Sequence, residues 1–392
     1  MHGLLSNLAR RHDVSAVTLI SPDEDAAMRE RAMREYCSEV VLVPNPNGRA
    51  GLSKRVLQVR SALSWHSFER LRASVGAMQQ ALDQLMSRVP FDILNLEFPD
   101  LAHYRLRISP SGAPLPKIVL DAHDIAHEIV RQVAQSKVKL GRRLYASVNW
   151  RKLRRDELAA FRSADGVYAC SVLDQRRIQA DVPTVRTAVI PNAADVDFYK
   201  PRPTDPSSDG QTLVYFGLLS TFPNADAVLF FLREIWPIIA VARPHARLKV
   251  VGARPSVALQ AFAGARVQIT GLVDDIRPHL AAAAAIIVPL RLGSGTRLKI
   301  LEGLAMGKGI VSTKLGAEGI DVVPNKHLLL ADNPTDFASS AIRLLDEPEL
   351  AVSLGNAGRK LVEDRYSWRA AANELECFYD RVLDATARRC EA

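Results

Sequence analysis

No run of about 18 uninterrupted apolar residues occurs in this chain, so no segment is written to cross a bilayer as a helix. Cysteine is scarce. Cys37, Cys170, Cys377 and Cys390 stand apart, with no CxxC pair and no metal-ligand spacing. That excludes a disulfide framework and a cysteine metal site, and leads us to expect reduced thiols in a cytosolic protein. The opening residues, MHGLLSNLARRHD, lack a basic stretch leading into a long apolar one, so no secretory leader is read. No GxGxxG follows a strand pattern, which argues against a nicotinamide dehydrogenase. No repeat of roughly 20–50 residues is evident, which removes solenoids and propellers.

What is present is alternation. Short β-rich runs at residues 14–20, 40–43, 91–96, 118–120, 166–170 and 188–190 are separated by helical patterns, among them 1–11, with Leu4, Leu5 and Leu8 on one stripe, and 67–88. Residues 200–211, KPRPTDPSSDGQ, hold prolines, serines and a glycine without apolar periodicity and read as a linker. The alternation then resumes with strands at 212–216, 248–251, 267–269, 286–289 and 310–312. Helices follow at 225–242, 275–284, 334–345, 347–363 and 368–387. Strand runs of this kind, separated by helices, predict parallel sheets covered on both faces. The expectation is an α/β protein of two doubly wound Rossmann-like domains facing a central cleft. The first domain spans 1–200, the linker 201–211 and the second domain 212–365, with the helix of 366–392 packing back on the first.

Residues 286–320, IIVPLRLGSGTRLKILEGLAMGKGIVSTKLGAEGI, carry the strongest chemical signal. A buried strand runs through a Gly/Ser/Thr turn into a helix, and such a helix start gathers unpaired N–H groups and the positive end of the helix dipole. Gly293 and Gly295 let backbone approach an anion, and Ser294 or Thr296 can cap the helix. Glu302 lies about 9 Å beyond Thr296 along the helix axis. Arg297 and Lys299 between them can neutralise a diphosphate, while a carboxylate suits vicinal ribose hydroxyls. The competing reading is a surface ion pair of Lys299 with Glu302.

This segment resembles the donor-binding signature of retaining glycosyltransferases of the glycosyltransferase-B fold, family 4 (group 1), and the resemblance extends along nearly the whole chain. It also rests on VLDAHDIAHEIV (119–130), RRDELAAFRSADGVYACS (154–171) and VIPNAADVDFY (189–199). LVYFGLLSTFPNADAVLFFLREIWP (213–237), ITGLVDDIRPHL (269–280) and YSWRAAANELECFY (366–379) add to it. The resemblance implies transfer of a sugar from a nucleotide-diphosphate donor with retention, no metal and no cofactor. It implies that Glu302, second glutamate of a Glu-x7-Glu motif, holds the ribose. Gly271, Leu272 and Val273 would lie along the base, and Gly217 would approach the diphosphate. Three positions depart from the pattern. Ser294 replaces the first glutamate, LLSTFPN (218–224) replaces the usual Arg and Lys after the first donor-domain strand, and Gly309 replaces a proline. Arg297 and Lys299 are expected to take over the missing charge.

On the acceptor side, the resemblance puts His123 near the reacting sugar, with Asp124 able to orient it; Glu97 and Asp100, after another strand, are weaker acceptor candidates. Asp23-Glu24-Asp25 spells a DxD but reads as a solvated turn. The charge excess, 51 Lys and Arg against 43 Asp and Glu, is concentrated in places. From Arg49 to Arg72 there are six basic residues against only Glu69, interleaved with Leu57, Leu63, Trp65 and Phe68. Such a helix can lie on an anionic membrane surface, or can pack its apolar side on its own domain. The expected location is cytoplasmic, peripheral on the inner face of the membrane, with a glycan or lipid-linked acceptor and no nucleic-acid partner. Family members begin with a strand and glycine-rich loop before the first helix, so the first strand of the N-terminal sheet is expected to be missing. The leading function is a metal-independent glycosyltransferase of surface polysaccharide or glycoconjugate synthesis. The alternatives are a non-catalytic nucleotide- or glycan-binding member and a nucleotide-sugar epimerase of the same fold.

Overall fold

The computed structural model describes residues 2–48, 51–106, 109–110, 113–135, 140–201, 210–292 and 297–384. The chain forms two compact units. Unit 1 comprises residues 1–190 together with 372–392, and unit 2 comprises 191–371. Most of the linker, 202–209, lies outside the described residues. The contact boundary precedes it because residues 191–201 are tied to unit 2. Ala194 N donates to Tyr366 O at 2.8 Å, and Arg359 donates to the carbonyls of Tyr199 and Val196 at 2.7 and 3.1 Å.

Unit 1 runs α1 (His2–Leu8), β1 (Ser15–Ile20), α2 (Ala26–Arg34), β2 (Glu39–Pro44), α3 (Leu52–Leu63), α4 (Phe68–Ala73), α5 (Gly76–Arg88) and β3 (Ile93–Leu96). It continues with β4 (Lys117–Ala122), α6 (Ala126–Gln135), α7 (Leu140–Ser163), β5 (Gly166–Ala169), α8 (Val172–Asp181) and β6 (Arg186–Val189). Its strands are all parallel but fall into two sheets, β1-β2 and β3-β4-β5-β6. The expected single layer is therefore divided. The strands at the division are under-covered: β1 is half-buried up to Leu19 and β3 throughout, whereas β5 is wholly buried.

The helix expected over 67–88 is broken into α4 and α5. Ser74 Oγ turns back onto Arg70 O at 2.7 Å, and Val75 N donates to Tyr104 Oη at 2.8 Å, so a distant tyrosine takes the donor that a continuous helix would use. Asp25 of the DxD caps α2, accepting from Met28 N at 3.0 Å, as a turn residue does.

Unit 2 runs β7 (Thr212–Phe216), α9 (Phe222–Phe230), a π turn (Phe231–Ile235), α10 (Trp236–Ala242), β8 (Arg247–Val251), α11 (Val257–Gln260), β9 (Val267–Ile269) and α12 (Arg277–Ala281). Then come β10 (Ala285–Val288), α13 (Leu298–Ala305), β11 (Ile310–Ser312), β12 (Leu329–Leu330), α14 (Pro334–Asp346), α15 (Pro348–Arg365) and α16 (Trp368–Leu383). From Ala372 onward α16 belongs to unit 1, where Phe378 is buried edge-on to Tyr168 at 6.4 Å. The unit 2 sheet has the order β12-β11-β10-β7-β8-β9, all parallel. The chain leaves β7 toward β8 and returns on its other side as β10, so the strand order reverses at the β7/β10 junction, where open α/β sheets bind ligands. Gly303 lets α13 lie directly on this sheet. A Cβ there would meet the Cδ1 atoms of Ile286 and Ile310 at 2.9 Å.

Because α13 is held by that close approach, Gly303→Val forces it away from β10 and β11. Overpacking of this kind costs roughly 1–3 kcal/mol. Chemical denaturation is expected to show a lower midpoint, and an unchanged midpoint would mean the helix has slack.

Candidate functional site

At the C-terminal end of β7 the chain turns through Gly217, whose φ of 148° suits glycine, toward Asn224 near the start of α9. Crowding explains the glycines here. A Cβ on Gly252, after β8, would meet Gly217 O at 1.9 Å, and one on Gly217 would lie 3.0 Å from Lys299 Nζ. Lys299 rises from the first turn of α13 into this corner. Its ammonium donates to Tyr215 Oη and to Asn224 Oδ1, each at 2.8 Å, and lies 4.3 Å from the centre of the Tyr215 ring. It makes no ion pair among the described residues, so the alternative of a surface pair with Glu302 is not what forms. Burial, reinforced by the charge of Arg297 and opposed by Glu302, lowers the Lys299 pKa to about 7.

One turn along α13, Glu302 is, like Lys299, half-buried. Burial raises its pKa, while a hydrogen bond from Tyr199 and the charge of Lys299 oppose the rise. Tyr199 closes the VIPNAADVDFY segment, and beside it Phe198 carries the Arg277 guanidinium 3.8 Å above its ring. Arg297 occupies the N-cap position of α13. Ser294, Gly295 and Thr296 lie outside the described residues. Gly271 adopts φ 75° and its carbonyl accepts from Gly252 N, with Leu272 exposed and Val273 half-buried after it. Thus Gly217, Lys299 and Glu302 gather at the switch point, joined by Tyr215, Asn224 and Tyr199. Sequence reasoning missed these last three. Asn224 lies within a segment read only as a departure from the family pattern, and Tyr199 within a motif quoted without a role.

A second cluster forms in unit 1 at the ends of β3 and β4. His123 Nε2 lies 3.3 Å from both Glu97 Oε2 and Asp121 Oδ2, and the Phe98 ring stacks on the imidazole at 4.6 Å. Behind them, Asn95 Nδ2 donates to Glu97 Oε1 at 3.0 Å and to Tyr168 Oη at 3.2 Å. Tyr168 is the cross-strand partner of Asp121. Burial, reinforced by Glu97 and opposed by His123, raises the Asp121 pKa to about 7. Burial alone would lower that of His123, but Glu97 and Asp121 outweigh it and leave it raised.

The carboxylates against His123 are therefore Glu97 and Asp121; Asp124, expected to orient the ring, is exposed. Asp100 does not join the cluster. Burial lifts its pKa to about 6 among Arg72, Glu69 and Glu157. Glu97, Asp121 and His123 each offer one ligand atom within 4.8 Å of the others, the one such group of possible metal ligands among the described residues.

The unit 2 geometry, an all-parallel doubly wound sheet with glycines and a buried cation at its switch point, is that of the glycosyltransferase-B fold. Across the whole chain, the structure superposes on sucrose-phosphate synthase from Thermosynechococcus elongatus with a TM-score of 0.71 at 16% identity, covering 98% of this chain and 92% of that one. Anabaena HepE in complex with UDP and glucose gives 0.64 at 14% identity, covering 96% and 95%. The resemblance to group 1 glycosyltransferases holds: residues 210–347, the body of unit 2, match the family model described as "Glycosyl transferases group 1".

Among curated proteins, the chain is 28% identical over 224 residues to a phosphatidylinositol N-acetylglucosaminyltransferase component of Arabidopsis thaliana, covering 54% of this chain and 47% of that protein. It is 29% identical over 157 residues to a GDP-mannose-dependent monoacylated alpha-(1-6)-phosphatidylinositol monomannoside mannosyltransferase of Corynebacterium glutamicum, covering 37% and 41%. The chain spans less than half the length of these two relatives.

A half-buried ammonium that, among the described residues, donates only to neutral acceptors weakens the free protein. The lysine's folded pKa of about 7 lies below its ordinary value, so its contribution to stability rises with pH from about 7 upward. Lys299→Met leaves Tyr215 Oη donating to Asn224 Oδ1, a contact of 2.9 Å, so no new orphan is made. The variant is expected to melt above the wild type below pH 7 and to lose that advantage as pH rises toward 10, followed by calorimetry. A variant less stable at every pH would show the charge to be structural.

Proposed function

We propose that the protein transfers a sugar from a nucleotide-diphosphate donor to a glycan or lipid-linked acceptor with retention of anomeric configuration, and needs no metal. The observation that carries this is the Lys299 ammonium buried beside Gly217 at the switch point, one helical turn from the Glu302 carboxylate. A diphosphate supplies the charge that Lys299 lacks, and Gly217 leaves room for its oxygens. Glu302 accepts from vicinal ribose hydroxyls, exchanging with Tyr199. Gly271, Leu272 and Val273 flank the base. HepE, crystallised with UDP and glucose, supports a donor of this class.

Departure of the diphosphate breaks the bond from the sugar C1 to phosphate oxygen, and the acceptor oxygen attacks C1 from the same face. The acceptor proton passes to the departing phosphate. Lys299 and Arg297 stabilise the developing charge, which is where electrostatic catalysis has most to offer. In unit 1, His123 donates to a hydroxyl of the reacting pair, and Glu97 and Asp121 hold its ring. Two curated relatives are named for phosphatidylinositol-linked chemistry, which supports a lipid-linked acceptor in a glycoconjugate pathway.

A nucleotide-sugar panel tests this through donor hydrolysis and transfer, with and without chelator. Turnover unaffected by chelator is expected. Glu302→Ala should weaken nucleotide binding by about 1.5–3 kcal/mol, the worth of charge-assisted hydrogen bonds. Binding without turnover of any donor would favour a non-catalytic member, and C2 epimerisation of a free nucleotide sugar would favour an epimerase. Protonating Asp121 removes one of the charges that hold His123, so kcat is expected to fall as pH drops through about 7. Asp121→Asn should erase that limb with little change in donor KM; a limb that persists would assign it elsewhere.

A further inference from the structure

The segment from Arg49 to Arg72 does not tuck its apolar side into unit 1. In α3 the inward residues are Leu57 and Ser61, at 5% and 1% exposure, while Val56, Val59 and Leu63 form an outward stripe at 53%, 59% and 85%. Trp65, just past the helix end, is 83% exposed. A second outward stripe, Leu140, Leu144 and Val148, runs along α7 at i,i+4 spacing. The two lie side by side. Lys152 Nζ caps the end of α3 through the carbonyls of Ser61, Ala62 and Ser64 at 2.6, 3.2 and 2.6 Å, and Arg155 donates to Trp65 O. Lys54, Arg55, Arg60, Arg143 and Arg151 stand exposed around these stripes and make no ion pair among the described residues.

Exposed apolar stripes on two packed helices, ringed by unpaired cations, are a docking surface whose partner must be both apolar and anionic. We propose that this α3–α7 face seats on the surface of an anionic lipid bilayer, with Leu63, Trp65, Leu144 and Val148 entering the headgroup boundary and the arginines and lysine on lipid phosphates. The charge favours a bilayer over a second copy of this chain, which would bring like charges together. The surface is independent of the catalytic reading and would hold for a non-catalytic protein.

Sedimentation of the whole protein with phosphatidylcholine vesicles, with and without phosphatidylglycerol, tests it. Binding is expected only to vesicles containing phosphatidylglycerol and should weaken with salt. Leu63→Glu with Trp65→Glu, at exposed positions that leave the melting curve unchanged, should lower partitioning roughly tenfold or more. Arg55→Gln with Arg60→Gln should lower it by a similar factor, since each cation near the surface contributes about tenfold or less. The proposal is overturned if the wild type stays in the supernatant with anionic vesicles. Binding unaffected by the double glutamate variant, or concentration-dependent self-association through this face in place of vesicle binding, overturns it as well.

Discussion

A half-buried lysine ammonium at the end of a parallel strand, with no carboxylate paired to it among the described residues, is the constraint around which unit 2 is arranged. Desolvating a charge is expensive, and neutral acceptors such as Tyr215 Oη and Asn224 Oδ1 offset only part of that cost. The fold tolerates it because the surroundings are rigid. Gly303 seats α13 on β10 and β11, Gly217 and Gly252 let the strand ends close together, and the Tyr215 ring lies against the ammonium. The result is positive charge held where the strand order reverses, which the proposed donor diphosphate would meet already in place. Preorganised charge of this kind serves a leaving group that becomes more negative as it departs.

The family pattern normally brings cationic side chains to this corner from the segment after the first donor-domain strand. Here that segment is Leu218 to Asn224, and the charge arrives from α13. Asn224, one of the replacing residues, becomes an acceptor for the lysine. On the proposed reading, the charge role passes from one element to another. That is why residues 218–224 taken alone suggest a loss and residues 297–302 taken alone suggest an excess.

Much of the frame was legible in the sequence. The strands at 212–216, 267–269 and 310–312 match β7, β9 and β11 to the residue, because short β-rich runs between helical patterns mark the strands of such sheets. What escaped depended on partners distant in sequence. The break between α4 and α5 is made by Tyr104, and β12, with two residues, is too short to carry a pattern. In the candidate sites, Lys299, Glu302 and Gly217 were named from spacing and resemblance, and the structure brings them to one corner of unit 2. Asp121 was not, because its importance comes from strand register, which sets it opposite Tyr168 and beside His123. Asp124, in the HD pair, drew attention by sequence adjacency, but it lies past the end of β4 and is exposed. Whether the apolar face of α3 points inward or outward could be decided only by its packing against α7.

The central claim is that Lys299 waits near neutrality for an anionic ligand. Titration calorimetry with a nucleoside diphosphate above pH 7, repeated in buffers of different ionisation enthalpy, counts the protons taken up on binding. The account predicts uptake approaching one proton per ligand as pH rises above about 7, and none in Lys299→Met. Binding without proton uptake in the wild type, or the same uptake in Lys299→Met, would contradict it.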